Sequence, residues 1–78
     1  MAIAFGAVLR KYRRERGFSQ DMLAMRCDLD RTYPSLLERG LRTPSLTVIF
    51  KLADGLDVAP SIMMKETMAR LGTDPGKN

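Results

Sequence analysis

The chain lacks histidine and tryptophan, and it has a single cysteine among its 78 residues. Without histidine the commonest acid–base catalyst is missing, and Cys27 has no second cysteine or histidine with which to form a disulfide, a metal site or a nucleophile pair. We therefore expect no metal, no cofactor and no enzymatic activity, and we expect Cys27 to be an inert core residue. A hydrolytic enzyme using Ser, Lys or Asp groups stays open as an alternative, although no motif favours it.

Long apolar segments are also missing. The longest stretch without a charged residue runs from Met1 to Leu9, whereas a membrane span needs about 18 residues. That stretch also lacks the basic start of a signal peptide. The sequence predicts one small cytoplasmic protein without membrane contact, stabilised by compact helices or by a partner subunit because so short a chain buries little core.

The basic residues are distributed unevenly along the chain. Thirteen Lys and Arg against nine Asp and Glu give a net charge of +4. Residues 1–18 hold five basic residues and one acidic residue, while residues 19–44 and 45–78 each hold four of either sign. This local excess is typical of a surface that binds an anionic partner such as nucleic acid. A solvated helix face would look the same, and both interpretations stay open.

The spacing of apolar residues predicts the first helix. Phe5, Val8, Leu9 and Tyr12 occupy the i, i+3, i+4 and i+7 positions of one helix face. Gly17 follows as a stop signal, because glycine readily adopts the left-handed conformation that ends a helix. We therefore expect a helix that begins near Phe5 and ends before Gly17.

Short polar residues predict the next two helices. Ser19 can cap a short second helix, and Asp28 tolerates the left-handed backbone of the turn that follows it. Asp30 is the predicted N-cap of a third helix over residues 31–39. Pro34 is the exception within that helix, since the fourth position past a cap normally uses its backbone N–H.

Glycine and proline mark the remaining boundaries. Gly40 is expected to end the third helix, after which Thr43 is predicted to cap a fourth helix that Pro44 opens. Pro60 is predicted to open a fifth helix, and no segment alternates as a strand would.

These elements define the expected fold class. The sequence predicts a compact all-α domain of five helices over residues 1–72, with a helix-turn-helix unit at about 19–39. The polar residues 73–78 are expected to form a disordered tail.

Two short helices joined by a tight turn suit the major groove of DNA. The groove is about 12 Å wide and accepts one helix, which reaches base edges with the outward residues of its first two turns. In the predicted third helix these residues are Arg31, Thr32, Ser35 and Leu36. As the structural alternative, Arg31 is a surface residue paired with Asp28 or Asp30.

Four motifs follow one another over residues 5 to about 64. They are Phe5-Gly6 with Leu9-Arg10 and Arg13, Gly17-Phe18-Ser19-Gln20 with Leu23-Ala24, Asp30-Arg31-Thr32-Tyr33 with Leu37-Glu38-Arg39-Gly40, and Thr43-Pro44-Ser45-Leu46. In this order they resemble the Cro/C1-type (XRE) helix-turn-helix family of transcriptional regulators, which has a lambda repressor-like fold. The run from Leu29 to Tyr33 and the short length further resemble the controller proteins of restriction–modification systems.

The resemblance implies a DNA-binding role for each matching residue. Arg31 would read a guanine, and Thr32 would touch a thymine methyl group or accept a hydrogen bond from a base, with Ser35 and Leu36 as secondary base contacts. The implied phosphate contacts are Ser19, Gln20, Arg42 and Thr43. For Ser19 and Gln20 the structural alternative is a helix cap and its neighbour.

The resemblance also implies structural features. Arg13 and Glu38 would form a partly buried pair that holds the recognition helix. Pro34 departs from the family pattern, which has an aliphatic residue there, so the third helix is expected to be distorted or to start late. Asp28 replaces the commoner turn glycine, which is tolerable but adds a negative charge next to the elements expected to face DNA. A homodimer interface is expected at Leu56, Val58, Ile62, Met63, Met64 and Met68, and for the methionines of the last helix the structural alternative is ordinary core packing.

The expected function is sequence-specific regulation of transcription. A homodimer would bind a pseudo-palindromic operator in double-stranded DNA, with its two recognition helices about 34 Å apart. It would repress by occluding a promoter, or activate through a contact with RNA polymerase. The alternatives are an antitoxin or protein-interaction module on the same fold, and an architectural protein that binds DNA without sequence preference.

Overall fold

The structure is a computed structural model that describes residues 1–72. This part of the chain contains five α-helices. They are α1 (Ala2–Glu15), α2 (Gln20–Arg26), α3 (Tyr33–Glu38), α4 (Leu46–Leu56) and α5 (Pro60–Arg70). Residues 1–72 contain no strand, so the all-α prediction is confirmed. Among the helices of this range, none has the length and apolar character needed to cross a membrane. The predicted tail, residues 73–78, lies outside the described residues.

One apolar core joins all five helices. α1 packs against α3 and α5, while α2 packs against α3 and α4. The predicted face of α1 points into this core, with Tyr12 at its edge. The buried members of the core are Phe5, Val8, Leu9, Leu23, Cys27, Leu37, Leu52, Ala53, Leu56 and Met63.

Both ends of α2 follow the sequence signals, whereas the start of α1 does not. The Ser19 hydroxyl accepts a hydrogen bond from the backbone N–H of Met22 at 3.1 Å and so caps α2. Asp28, with φ of 54°, makes the left-handed turn after α2. The start of α1 was predicted too late, because the carbonyl of Met1 already accepts the backbone N–H of Phe5 and the helix begins at Ala2.

The third helix begins two residues later than the sequence predicted, at Tyr33 instead of Arg31. Asp30 is not its N-cap: the Asp30 carboxylate accepts the backbone N–H of Thr32 at 2.9 Å and the Thr32 hydroxyl at 2.6 Å. This local turn holds residues 30–32 outside the helix. Pro34 consequently stands in the first turn, where its missing N–H is not needed, and its ring is fully buried. The late start expected from Pro34 is therefore confirmed.

The fourth helix also begins later than predicted. Ser45 is its cap, because the Ser45 hydroxyl accepts the backbone N–H of Val48 at 3.2 Å. Thr43 and Pro44 both precede the helix, so the prediction that they cap and open it is wrong. The predicted start of α5 at Pro60 is confirmed.

Gly6 allows α1 to approach α3 closely. A Cβ atom at this position would collide with the backbone carbonyl oxygens of Leu37 and Glu38. Because those oxygens belong to the helix backbone, they have little freedom to move aside. The absence of a side chain at Gly6 therefore sets the distance between α1 and the end of α3.

We predict that Gly6→Ala destabilises the protein. Helix propensity alone would make alanine more stable by up to about 1 kcal/mol, but overpacking at a helix contact costs about 1–3 kcal/mol. Urea unfolding of the variant shows directly whether the free energy of unfolding falls or rises. Ala7→Gly, the reverse change at the next position of α1, measures the propensity term, and a Gly6→Ala variant more stable than wild type would contradict the packing argument.

Candidate nucleic-acid interface

A buried carboxylate lies at the end of α3. The Glu38 side chain has no solvent exposure, and Arg13 of α1 donates to it from Nε at 2.5 Å and from Nη2 at 3.0 Å. Arg10, one turn earlier in α1, donates from Nε at 3.2 Å, and the Gln20 side-chain amide donates at 3.3 Å. We refer to Glu38, Arg10, Arg13 and Gln20 as the Glu38 cluster.

The Glu38 cluster connects three parts of the fold. Arg13 also donates from Nη1 to the carbonyl of Phe18 at 2.8 Å, which ties down the segment between α1 and α2. Glu38 itself is the last residue of α3, and Gln20 is the first residue of α2. The cluster therefore fixes α1, the start of α2 and the end of α3 relative to one another. The structure thus brings together the Arg13 and Glu38 pair that the family resemblance implies.

The hydrogen bonds of the cluster keep Glu38 ionised. Burial by itself raises the pKa of this carboxyl, but the hydrogen bonds from Arg13 and Gln20 outweigh burial and hold the pKa below its ordinary value. The same contact with Glu38 raises the pKa of Arg13 against the opposing effect of burial. Both groups are therefore charged at neutral pH.

The predicted base-contact residues lie at and just before the start of α3. Arg31 and Thr32 are exposed, while Ser35 and Leu36 in the helix are half-buried. The Thr32 hydroxyl donates its hydrogen to Asp30, so the oxygen lone pairs and the methyl group of Thr32 remain for another partner. The hydrogen bonds from Thr32 also lower the pKa of Asp30.

Arg31 is paired, but not with the neighbours that the sequence suggested. Its Nε lies 3.4 Å from Oδ1 of Asp21, and its Nη2 lies 3.4 Å from Oδ2 of the same residue. Asp30 instead faces Thr32, and the Asp28 carboxylate lies 4.0 Å from Lys51. Sequence reasoning missed Asp21, because a contact between the start of α2 and the segment before α3 has no signature in helical spacing.

The predicted phosphate-contact residues lie on two segments, the start of α2 and the loop between α3 and α4. Ser19 is exposed and caps α2, and Gln20 is half-buried with its amide nitrogen bonded to Glu38. An amide nitrogen carries two hydrogens, so Gln20 retains one donor beyond the Glu38 bond. Arg42 and Thr43 are exposed in the loop between α3 and α4. Arg39, which directly follows α3, is a further exposed cation here that the sequence analysis assigned no role.

Most of the basic excess in residues 1–18 serves the fold. Lys11 donates to Glu66 of α5 at 2.6 Å, and the Tyr12 hydroxyl donates to the same carboxylate. Arg16 donates to the carbonyls of Leu56 at 2.7 Å and Asp57 at 3.0 Å, at the end of α4. A cation is favourable there because the C-terminal end of a helix carries partial negative charge. With Arg10 and Arg13 bound to Glu38, four of the five cations contact protein groups.

The residues predicted for a dimer interface divide into two groups. Leu56 and Met63 are completely buried within the single subunit, so placing them in an interface was wrong. Helical spacing alone does not separate a residue facing the core from one facing a partner. The members that reach the surface are Val58, Ile62, Met64 and Met68, of which Ile62 is the most exposed.

Exposed apolar residues on α4, not assigned to the interface from sequence, extend this surface. Phe50 is 54% exposed and Leu46 is 69% exposed. Phe50 borders a concavity of about 360 Å³ that Val58 and Pro60 also line. Asp54 and Asp57 line the same concavity, so its wall is mixed in character. Exposed apolar residues are nevertheless present on both α4 and α5, and we refer to Leu46, Phe50, Val58, Ile62, Met64 and Met68 as the α4–α5 face.

Cys27 is a core residue, as expected. Burial raises the pKa of its thiol, which keeps the sulfur neutral and unreactive. Gly55 of α4 packs directly on the sulfur, since a Cβ atom there would collide with Sγ.

We predict that Glu38→Gln strongly destabilises the protein at pH 7. The Arg13 side chain is only 12% exposed, and removing one partner of a buried pair costs about 3–5 kcal/mol. A domain of this length has roughly 4–12 kcal/mol of total stability, so urea unfolding would register the loss as a large shift of the midpoint. Glu66→Gln, whose side chain is 30% exposed, is the control and should cost about 1 kcal/mol or less.

The pH dependence provides a second readout of the same variant. Because the pKa of Glu38 is lower in the folded state, its contribution is present above the unfolded value of about 4.3 and is lost as the pH falls through the folded value. The acid decline in stability should therefore be less steep in Glu38→Gln than in wild type. Equal losses for the Glu38 and Glu66 variants, with parallel acid limbs, would contradict a central role for the cluster.

Comparison with known proteins identifies the family of this fold. Residues 9–63 match the family described as "Helix-turn-helix". The chain is 41% identical over 66 residues to the control protein C.BamHI of Bacillus amyloliquefaciens, covering 83% of this chain and 82% of the relative. It is 40% identical over 65 residues to the control protein C.MunI of a Mycoplasma species, covering 82% and 88%.

A solved structure gives the same assignment. The restriction-modification controller protein C.AhdI from Aeromonas hydrophila superposes with a TM-score of 0.77 at 44% identity, over 80% of this chain and 94% of that one. The structure agrees with this family assignment. Residues 1–72 form five helices without a strand, and Arg13 and Glu38 form the buried pair that the resemblance implies. The matched range 9–63 contains both residues of that pair. The chain belongs to the Cro/C1-type (XRE) helix-turn-helix family of DNA-binding transcriptional regulators.

Proposed function

We propose that this protein is a homodimeric controller that binds a two-fold-symmetric operator, each subunit inserting the start of α3 into a major groove. The observation that carries the proposal is the exposure of Arg31 and Thr32 beside a short helix that the buried Glu38 cluster holds rigidly. The protein would act by binding and without catalysis, in the cytoplasm, where the DNA is. The kinship with proteins described as restriction-modification controllers supports the same role here.

Base reading would begin with Arg31. A guanidinium can donate two parallel hydrogen bonds to O6 and N7 of guanine, which no other base accepts in the same pattern. Thr32 offers a methyl group for thymine and free lone pairs for a base donor. Ser35 and Leu36 are half-buried. They would therefore reach base edges, as secondary contacts, only where α3 lies deep in the groove.

Phosphate contacts would set the register of the protein on the duplex. The second N–H of the Gln20 amide is free to donate to a phosphate oxygen while the first remains on Glu38. Ser19 lies beside it, and Arg42 with Thr43 would contact the backbone from the loop after α3. The Glu38 cluster would thereby tie a phosphate contact and the recognition helix to the same buried charge.

Dimerisation would use the α4–α5 face. Ile62 of α5 and Phe50 of α4 are exposed apolar residues, and Val58, Met64 and Met68 are half-buried around them. A two-fold interface pairs such a surface with its own copy. Two recognition helices would then lie about 34 Å apart, one helical turn of DNA. The dimer would repress where its operator overlaps a promoter, and it would activate where it contacts RNA polymerase.

Selection from a pool of random duplexes tests the proposal as a whole. The expected result is a two-fold-symmetric motif, preferred by at least about 10³-fold over a scrambled duplex at the same salt concentration. Enrichment of no sequence would contradict sequence-specific regulation and would favour an antitoxin or interaction module. Equal binding to all duplexes would favour an architectural DNA-binding protein.

On the selected operator we predict that Arg31→Ala and Arg42→Ala have different effects. Arg31→Ala should weaken operator binding by about 1–3 kcal/mol and leave binding to the scrambled duplex nearly unchanged, because it removes a base contact. Arg42→Ala should weaken binding to both duplexes and reduce the salt dependence by about one counterion, because it removes a phosphate contact. Fluorescence anisotropy titrations at several salt concentrations separate the two, and equal losses on both duplexes for Arg31→Ala would contradict base reading.

We also predict that Ile62→Glu dissociates the dimer, since a carboxylate in an apolar interface loses its hydration without gaining a partner. Analytical ultracentrifugation should show a wild-type dimer and a monomeric variant. Ile3→Glu introduces the same change at an isoleucine of α1 that is 76% exposed, and it should remain dimeric. A dimeric Ile62→Glu variant would mean that the α4–α5 face is not the interface.

A further inference from the structure

We propose that Asp21 determines the base preference of this protein by positioning the Arg31 guanidinium for guanine. The inference rests on the proposed base reading by Arg31 and extends it to a residue outside the recognition helix. Asp21 would not contact the base. It would act as a positioning residue, because it holds the Arg31 side chain that contacts the base.

The two contacts between these side chains involve one particular edge of the guanidinium. Nε of Arg31 faces Oδ1 of Asp21 and Nη2 faces Oδ2, both at 3.4 Å. The first contact is a hydrogen bond and the second an ion-pair contact, and together they restrict the plane of the guanidinium as well as its position. A single contact would leave the group free to rotate.

Guanine needs two parallel hydrogen-bond donors, and the terminal edge of the Arg31 guanidinium can provide them. A guanidinium has five N–H donors, and Asp21 occupies only the side formed by Nε and Nη2. The terminal edge keeps both hydrogens of Nη1 and one of Nη2, which together provide the two parallel donors that O6 and N7 of guanine accept. Arg31 can therefore bind Asp21 and a guanine at the same time.

Asp21 is well placed to restrict an otherwise mobile side chain. The Arg31 side chain is 82% exposed, and ordering a long exposed side chain on binding is entropically unfavourable. Asp21 stands in the first turn of α2, whose start is fixed by the Ser19 cap and by the bond from Gln20 to Glu38. An exposed pair of this kind adds little to folding stability, so its main effect would be on the geometry of Arg31.

The other nearby carboxylates do not compete for this role. Asp30 accepts hydrogen bonds from Thr32, and Asp28 faces Lys51 across 4.0 Å with its own side chain fully exposed. Asp21 is thus the carboxylate that meets Arg31. A negative charge beside the groove also opposes the DNA phosphates, so Asp21 should lower affinity for DNA in general while it sharpens the choice of base.

The test compares Asp21→Asn with Asp28→Asn in the full-length protein. Both variants remove the negative charge of one exposed carboxylate, but only the first changes a contact of Arg31. Affinities are measured at fixed salt for the selected operator and for the operator with the guanine read by Arg31 changed to adenine in both half-sites. Thermal melting of each variant verifies the fold.

We expect Asp21→Asn to reduce the preference for guanine over adenine by roughly two- to fivefold, the factor that an exposed ion pair can contribute. Asp28→Asn should leave this preference unchanged, and both variants should bind a scrambled duplex more tightly than wild type. Asp21→Glu keeps the carboxylate and should retain most of the preference. In an Arg31→Ala background, Asp21→Asn should not change the preference for guanine over adenine.

Two results would overturn the inference. A guanine preference unchanged in Asp21→Asn would mean that Asp21 does not position Arg31. A guanine preference that increases in Asp21→Asn, with tighter binding to the operator, would mean that the pair holds Arg31 away from DNA. Failure of the proposed function is distinguishable from both, because wild type and Arg31→Ala would then have the same base preference.

Discussion

The buried charge of Glu38 is the constraint on which the rest of the structure depends. A carboxylate without solvent exposure is strongly destabilising unless cations and donors satisfy it. Here the partners come from α1 and from the first residue of α2, while Glu38 ends α3. The charge is therefore satisfied only when three helices have their native arrangement. Gly6 contributes by letting α1 approach the end of α3 closely enough for Arg13 to reach the carboxylate.

This arrangement divides the charged residues into an inner and an outer set. Arg10, Arg13 and Arg16 bind protein groups, and they account for much of the basic excess near the start of the chain. The cations left for DNA in the proposed function, above all Arg31 and Arg42, belong to a part of the sequence whose net charge is zero. A local surplus of positive charge is thus a poor guide to the DNA-binding surface of this protein. The position of individual arginines relative to the Glu38 cluster is a better one.

Local signals sufficed for the helix count and for several boundaries, because caps such as Ser19 and starts such as Pro60 depend on residues close in sequence. They failed at the start of α3, where Asp30 bonds to Thr32 and forms a turn in place of a cap. They also failed where the answer depends on tertiary packing. Leu56 and Met63 have the apolar character of interface residues yet lie in the core. The contact of Arg31 with Asp21 joins two elements whose relative position no spacing rule supplies.

The proposed function requires that Arg31 meets guanine in the major groove. Methylation of duplex DNA by dimethyl sulfate tests this most directly, because the reagent attacks N7 of guanine, the acceptor that a base-reading arginine would cover. On the selected operator, wild-type protein should protect a pair of guanines related by the two-fold axis of the site, and Arg31→Ala should leave the same pair reactive while still bound. Protection that is absent from wild type, or identical in the two proteins, would contradict the claim.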